Sequence, residues 1–184
     1  MSLTPTKNIP LGFIAPGFKL LNPLINKFNN LDDLKGKKVT VIIFMCNHCP
    51  YVIHILDQLV QIANDYKTKD VSFIGINSNN IISHPQDSPE NMVKLIKDYK
   101  IQFSYLFDET QEVAKAYDAA CTPDFSVFDK NLKCVYRGQM DSSRPGNDEP
   151  INGKDLREVI DLILNNQSIS KKQIPSIGCN IKWK

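Results

Sequence analysis

The chain has no apolar run near the roughly 20 residues needed to span a bilayer, so no membrane partner is expected. It also lacks a one-sided charge. Its 22 basic and 20 acidic residues leave a net charge of +2, too weak a bias to suggest nucleic acid or an anionic surface. Met1 to Pro10 is polar, so no secretory signal is expected and the expected location is cytoplasmic. There is no repeat, low-complexity tract or Gly/Ser linker to divide the chain. A Gly-rich phosphate loop, a Gly-x-Ser-x-Gly elbow and a paired-carboxylate motif are absent too, which leaves most other enzyme classes without support. The scarcity of Arg (3 against 19 Lys) reads as compositional habit and carries no functional meaning. What is there is ordinary: 42% apolar and 23% charged residues exclude disorder, collagen and a disulfide-dense mini-protein. A length of 184 residues fits one domain over 1–184, with a core at about 10–165 and a tail at 166–184.

The hydrophobic pattern reads as α/β. Phe18–Leu21 and Leu24–Phe28 can pair as a hairpin across Asn22-Pro23, and Leu31–Leu34 suits one helical turn. Val39–Met45 is almost wholly apolar and β-branched, the mark of a strand buried on both faces. Pro50–Tyr66 follows with an apolar stripe through Val52, Ile55, Leu56, Leu59, Ala63 and Tyr66. A second buried strand is expected at Val71–Ile76, then a loop to Pro89 that leaves His84 solvated. Helices over Asn91–Tyr99 and Thr110–Tyr117 flank a short strand at Phe103–Phe107. Phe125–Phe128 and Cys134–Arg137 form a hairpin across Asp129-Lys130-Asn131, and Leu156, Val159, Ile160 and Ile163 mark a last helix. In such sheets the reactive crevice lies beyond the carboxyl ends of the strands.

Five cysteines, at 46, 49, 121, 134 and 179, carry the chemistry. Cys46-Asn47-His48-Cys49 is a C-x-x-C at the predicted strand-to-helix junction. A helix N-terminus, a neighbouring imidazole and a second thiol one turn on all favour a thiolate, the attacking species in disulfide exchange. The first thiol, placed at the helix end and better exposed, is therefore expected to attack, and Cys49, inside the first turn, to resolve. Zinc is the competing reading of such a pair, but the remaining cysteines are solitary and His48 and His54 complete no recognised spacing. A soft ion held by Cys46, His48, Cys49 and either Cys121 or Cys179 is the form this alternative would take. Cys134 alternates within a strand and is expected in the core.

The C-x-x-C after a buried strand, the helix behind it and the later Cys121-Thr122-Pro123 before a strand together resemble the thioredoxin superfamily. Ile14-Ala15-Pro16-Gly17-Phe18, the run Leu31–Lys37, Tyr117–Asp124 and Val135-Tyr136-Arg137-Gly138 are similar to its AhpC/TSA-like, thiol-disulfide oxidoreductase-like branch, as is the tail Pro175–Lys184. The resemblance covers about residues 10–184. It implies a thioredoxin-like fold: a central mixed sheet flanked by helices, with an N-terminal hairpin extension and a C-terminal tail. It also implies a cis Thr122–Pro123 bond facing the C-x-x-C pair. The residue before a cis-Pro presents backbone groups able to pair with an extended substrate. His48 matches the residue type before the second cysteine in more oxidising members such as protein disulfide isomerase.

Two departures stand out. Where thioredoxin has a buried acid six residues before the first cysteine, this chain has Thr40, and Asp124 is a substitute only if it is not a surface carboxylate at a strand end. The peroxiredoxin pattern Pro-x-x-x-Thr-x-x-Cys is missing: counting back from Cys46, its places hold Val39 and Ile43. The expected function is thiol–disulfide exchange, with a protein or small-molecule disulfide or dithiol as substrate, a cellular thiol reductant and no cofactor. Peroxide-reducing antioxidant activity and metal binding or delivery are the alternatives. Cys121 is expected near the pair, and Cys179, if the tail folds back, pairs with Cys121 or serves as an extra resolving thiol.

Overall fold

A computed structural model describes residues 3–169 and 172–184; Met1, Ser2, Ser170 and Lys171, and with them parts of the polar leader and of the tail, lie outside the described residues. The elements in order are β1 (Leu3–Pro5), β2 (Lys19–Asn22), β3 (Lys27–Asn30), α1 (Leu31–Leu34), β4 (Val39–Phe44), α2 (Pro50–Tyr66), β5 (Val71–Asn77), a 3-10 turn (Pro85–Asp87), α3 (Pro89–Asp98), β6 (Ser104–Phe107), α4 (Glu112–Ala116), β7 (Cys121–Thr122), β8 (Asp124–Phe128), β9 (Cys134–Gly138), α5 (Lys154–Leu164) and β10 (Ile177–Asn180).

The main sheet has the order β3-β2-β6-β5-β4-β8-β9. β4, β5 and β6 are parallel, joined by α2 and α3, while β8, β9 and the β2–β3 hairpin run antiparallel. β4 is central, so all six of its residues are buried. Its side chains alternate between two cores, as a strand's period of two requires. Val39, Val41 and Ile43 meet α2, α3 and α5 through Val52, Leu56, Leu59, Met92, Leu156 and Val159. Ile42 and Phe44 turn to the other face, with Phe18, Leu31, Ala114 and Tyr117. Burying side chains of this size contributes roughly 1.5–3 kcal/mol each. Among the described residues no helix is long and apolar enough to cross a membrane.

Most expected elements are present, with shifted ends. The second arm of the first hairpin begins at Lys27 and not at Leu24, because Asn22 accepts a hydrogen bond from the Leu24 N–H (3.2 Å) and Asn26 takes φ 51°, which lengthens the turn. α3 starts at Pro89, two residues early, with Ser88 as its N-cap accepting from the Asn91 N–H. The 129–133 turn is organised by Asp129, whose carboxylate accepts from the Asn131 and Lys133 N–H groups (2.8 and 3.0 Å).

The tail holds the larger surprise. Residues 177–180 form β10, the middle strand of a second, three-stranded sheet in the order β1-β10-β7. Both pairings are antiparallel, and Cys179 lies opposite Leu3 on one side and Thr122 on the other. Gly178 permits this approach: a Cβ there would stand 2.0 Å from the Thr122 carbonyl oxygen. Beyond the strand, Ile181 is buried, its N–H donates to Ala120 O (3.2 Å), and Lys182 O accepts from Asn80 N (2.8 Å) and Gln111 Nε2 (2.9 Å).

Candidate redox site

β4 ends at Phe44, and the chain leaves the sheet through Met45 and Cys46. Cys49 is the N-cap of α2, with extended backbone (φ −70°, ψ 121°), and Pro50 is the first helical residue. The expected placement of Cys46 at the helix end and Cys49 within the first turn is therefore corrected. The reason is Pro50, whose ring keeps the preceding residue out of the helical region, so the helix cannot begin before it. Nor is the first thiol appreciably better exposed: Cys46 is 1% accessible and Cys49 0%. All five cysteines are thiols in this structure.

The Thr122–Pro123 bond is cis. Thr122 Oγ1 lies 3.5 Å from Cys46 Sγ, and Thr122 O lies 3.1 Å from Cys49 Sγ, where it accepts the Cys49 proton when that thiol carries one. Cys179 reaches the same place from β10, and both its thiol and its backbone hydrogen-bond the Cys49 sulfur. Cys121 does not join them. It neighbours Thr122 in β7, so its side chain points to the opposite face of the ribbon. Its sulfur sits 3.9 Å from Thr6 Oγ1 and 3.6 Å from Pro123 O. The expected Cys121–Cys179 partnership is thereby opposed, and burial pushes the Cys121 thiol up. Cys134 is core, as expected.

Behind Cys46 stands a carboxylate that sequence reasoning missed. Asp87 is buried, and its Oδ2 is 2.7 Å from His48 Nδ1 and accepts from Asn79 Nδ2 at 2.8 Å. Its Oδ1 accepts from the Asn47 backbone N–H at 2.8 Å. Burial pushes the Asp87 carboxyl up, but these hydrogen bonds and the His48 charge outweigh it and hold the group below its ordinary value. His84 keeps part of its surface in solvent, and its ring stacks on His48, ring centres 5.3 Å apart. Nothing in the Asn/Ser/Pro-rich loop distinguishes Asp87 from a turn residue. Only the fold carries it across to the C-x-x-C loop, 39 residues away in sequence from His48.

The two thiols titrate as a unit. The hydrogen bond between them draws Cys49 down to about 5, against the cost of burial and with help from Thr122 and Cys179. The same bond, then burial, then the Asp87 charge hold Cys46 well above the ordinary thiol value. Burial and the Asp87 charge thus oppose the Cys46 thiolate that the sequence favours. Cys49, not Cys46, caps the helix, and the imidazole meant to favour a Cys46 thiolate is paired with a carboxylate that opposes one.

Asp124 is not a surface carboxylate. It is 1% accessible and accepts from Arg137 Nη2 (3.3 Å), Thr6 Oγ1 (3.2 Å) and Ala120 N (3.2 Å). Arg137 also donates to Tyr117 O and Asp118 O, so this ion pair ties β9 to the segment leading into Thr122. Thr40 is buried, and its hydroxyl accepts from the Gly36 N–H (3.1 Å). Cys46, His48 and Asp87 have ligand atoms within 4.8 Å of one another and are the described residues that could hold a metal ion. A cavity of about 680 Å³ is lined by Leu11, Lys38, Lys130, Lys133 and Ile163, at the opposite end of β4 from the thiols. Beside Pro123 lies a crevice of about 10 Å³, bordered by Tyr51, Met140 and Ile177.

A thiol pair at the carboxyl end of a central strand, faced by a cis-Pro loop, defines a thioredoxin-like α/β protein. The chain belongs to the Redoxin family, whose model matches residues 12–156. It is 53% identical to an uncharacterized conserved protein from Geobacillus kaustophilus, with a TM-score of 0.98 over 100% of this chain and 97% of that one. It is 39% identical to a hypothetical protein from Sinorhizobium meliloti, with a TM-score of 0.96 over 98% of each. A putative thioredoxin from Neisseria meningitidis is similar at 26% identity and a TM-score of 0.63, over 83% of this chain and 90% of that one. No curated protein matches the chain.

Proposed function

We propose that this protein is a thiol–disulfide oxidoreductase in which Cys46 attacks and Cys49 resolves. The observation that carries the reading is the placement of both sulfurs against Thr122, at 3.5 Å from its hydroxyl and 3.1 Å from its carbonyl. The pair retains one readily shared proton. For attack, that proton passes from Cys46 to Cys49 along the bond between the sulfurs, and the Thr122 carbonyl accepts it there. The Cys46 thiolate then has Thr122 Oγ1 as a donor, with the His48 ring 4.0 Å away. It attacks one sulfur of a substrate disulfide, and the other sulfur leaves as a thiolate. Cys49 next gives its proton to that departing thiolate and attacks Cys46 Sγ, which releases the second substrate sulfur as a thiolate that water protonates and closes the Cys46–Cys49 disulfide. In reverse the same steps oxidise a dithiol. Substrates are protein or small-molecule disulfides or dithiols, and a thiol reductant returns the pair to its starting state.

The test equilibrates the full chain in thiol/disulfide buffers of stepped potential, alkylates free thiols and maps linkages by mass spectrometry. A reversible Cys46–Cys49 bond with a defined midpoint is expected, and the Cys46→Ser protein is expected to lose disulfide-reducing activity. A Cys46→Ser protein that still reduces insulin-type disulfides at the native rate would falsify the reading.

A further inference from the structure

The mechanism above uses two thiols, but a third touches one of them. Cys179 is buried and hydrogen-bonds the Cys49 sulfur. Cys179 is placed there by register. It lies opposite Thr122, the residue whose carbonyl and hydroxyl face the other two sulfurs, and side chains of opposed residues share a face of the ribbon. β10 thus adds a strand at the segment before the cis-Pro, with a thiol at the position opposite the attacking pair. The arrangement is held from both sides: Gly178 meets the Thr122 carbonyl with no room for a side chain, and Ile181 and Lys182 anchor the following residues.

We infer that Cys179 is a third redox thiol, which moves the disulfide from Cys46–Cys49 to Cys49–Cys179. The inference rests on the exchange reading above. In the step, the Cys179 sulfur attacks Cys49 Sγ; the Cys49–Cys179 bond forms and the Cys46–Cys49 bond breaks. The proton lost by Cys179 ends on Cys46, beside Thr122 Oγ1 and the His48 ring. One disulfide replaces another, so no oxidant or reductant is consumed. Cys179 is a poor nucleophile while Cys49 carries negative charge, since burial and that neighbour both hold its proton. Oxidation of Cys49 removes the neighbouring charge, and the Lys182 ammonium then favours the Cys179 thiolate. The result is a Cys46 thiol free to meet another substrate while the tail strand is covalently joined to the N-cap of α2. A thiol reductant reopens the Cys49–Cys179 bond.

The experiment compares three full-length proteins in the same buffer series, with alkylation and peptide mapping: wild type, Cys46→Ser and Gly178→Ala. In Cys46→Ser, a reversible Cys49–Cys179 linkage is expected. In wild type, both linkages are expected in a ratio that does not change with buffer potential, because their exchange consumes no electrons. Gly178→Ala pushes β10 off Thr122 without removing a thiol. It should keep the Cys46–Cys49 bond and lower the Cys49–Cys179 fraction roughly tenfold, because a disulfide tolerates little change in separation. If wild type forms Cys46–Cys49 but Cys46→Ser never links Cys49 to Cys179, the third-thiol inference is overturned and the exchange reading stands. If wild type forms no Cys46–Cys49 bond at any potential, the exchange reading fails and the transfer step fails with it.

Discussion

Replacing Asp87 by Asn tests the electrostatics of the site most directly. The substitution keeps shape and an acceptor for the Asn47 N–H, but it removes a negative charge within 4.8 Å of Cys46 Sγ. At an effective dielectric of about 20, a unit charge at that separation costs a thiolate about 3.5 kcal/mol. The full amount is not expected, because His48 loses the carboxylate that anchors its ring and can turn away from the sulfur. A net fall in the Cys46 pKa, read as faster alkylation at a given pH, is the expected outcome. Screening offers little escape, since Cys46 and the Asp87 side chain are almost wholly buried. The assay is the rate of alkylation at Cys46 by a small neutral haloacetamide, read by peptide mapping across a pH series in both proteins. An apparent Cys46 pKa that stays put or rises would refute the argument that the Asp87 charge opposes the thiolate.

Further outcomes follow from the same contacts. Thr122→Val retains the carbonyl and the shape but removes the hydroxyl that lowers Cys46, so Cys46 alkylation near neutral pH should slow several-fold, about what a lost bond of ~1 kcal/mol gives. Asp87 is held below its unfolded value of about 3.9, so its stabilisation is complete above that pH and is lost as pH falls through the lower folded value. Acid unfolding curves of Asp87→Asn should lack that part of the low-pH decline, while the wild type shows it. Ile181→Ala removes a buried anchor worth about 2–5 kcal/mol, so tail docking should weaken, and proteolysis after residue 172 and alkylation of Cys49 should both accelerate. Arg137→Met leaves Asp124 buried without its partner and should cost about 3–5 kcal/mol in urea unfolding.

Much of the fold was legible because its signals are local. The unbroken β-branched run of β4, the stripe along α2 and the Asp129 turn each follow from a few neighbouring residues. The shifted ends have equally local causes, such as the Asn22 side chain holding the first turn open. Part of the site was legible too: the C-x-x-C spacing, and a Thr-Pro that the structure brings to within 3.5 Å of it. What could not be read was anything set by distant segments. Asp124 looks like a strand-end carboxylate until Arg137 is found 3.3 Å away across the hairpin. His84 carries no sign in sequence that its loop folds over and places its ring on His48.

Residue order alone therefore determined an α/β chain with a C-x-x-C pair at the carboxyl end of its central strand. Periodicity and the Pro50 junction are properties of short stretches and need no partner to be read. Tertiary structure alone decided which charges and donors surround the two thiols. Acidity in a buried site depends on charges and donors a few ångströms away, and those come from Asp87 and Thr122 on other elements. It also decided where the tail goes. A four-residue strand has no preferred place until two edges accept it; here these are β1 and β7, and the approach to β7 needs Gly178, where a side chain would strike the Thr122 carbonyl.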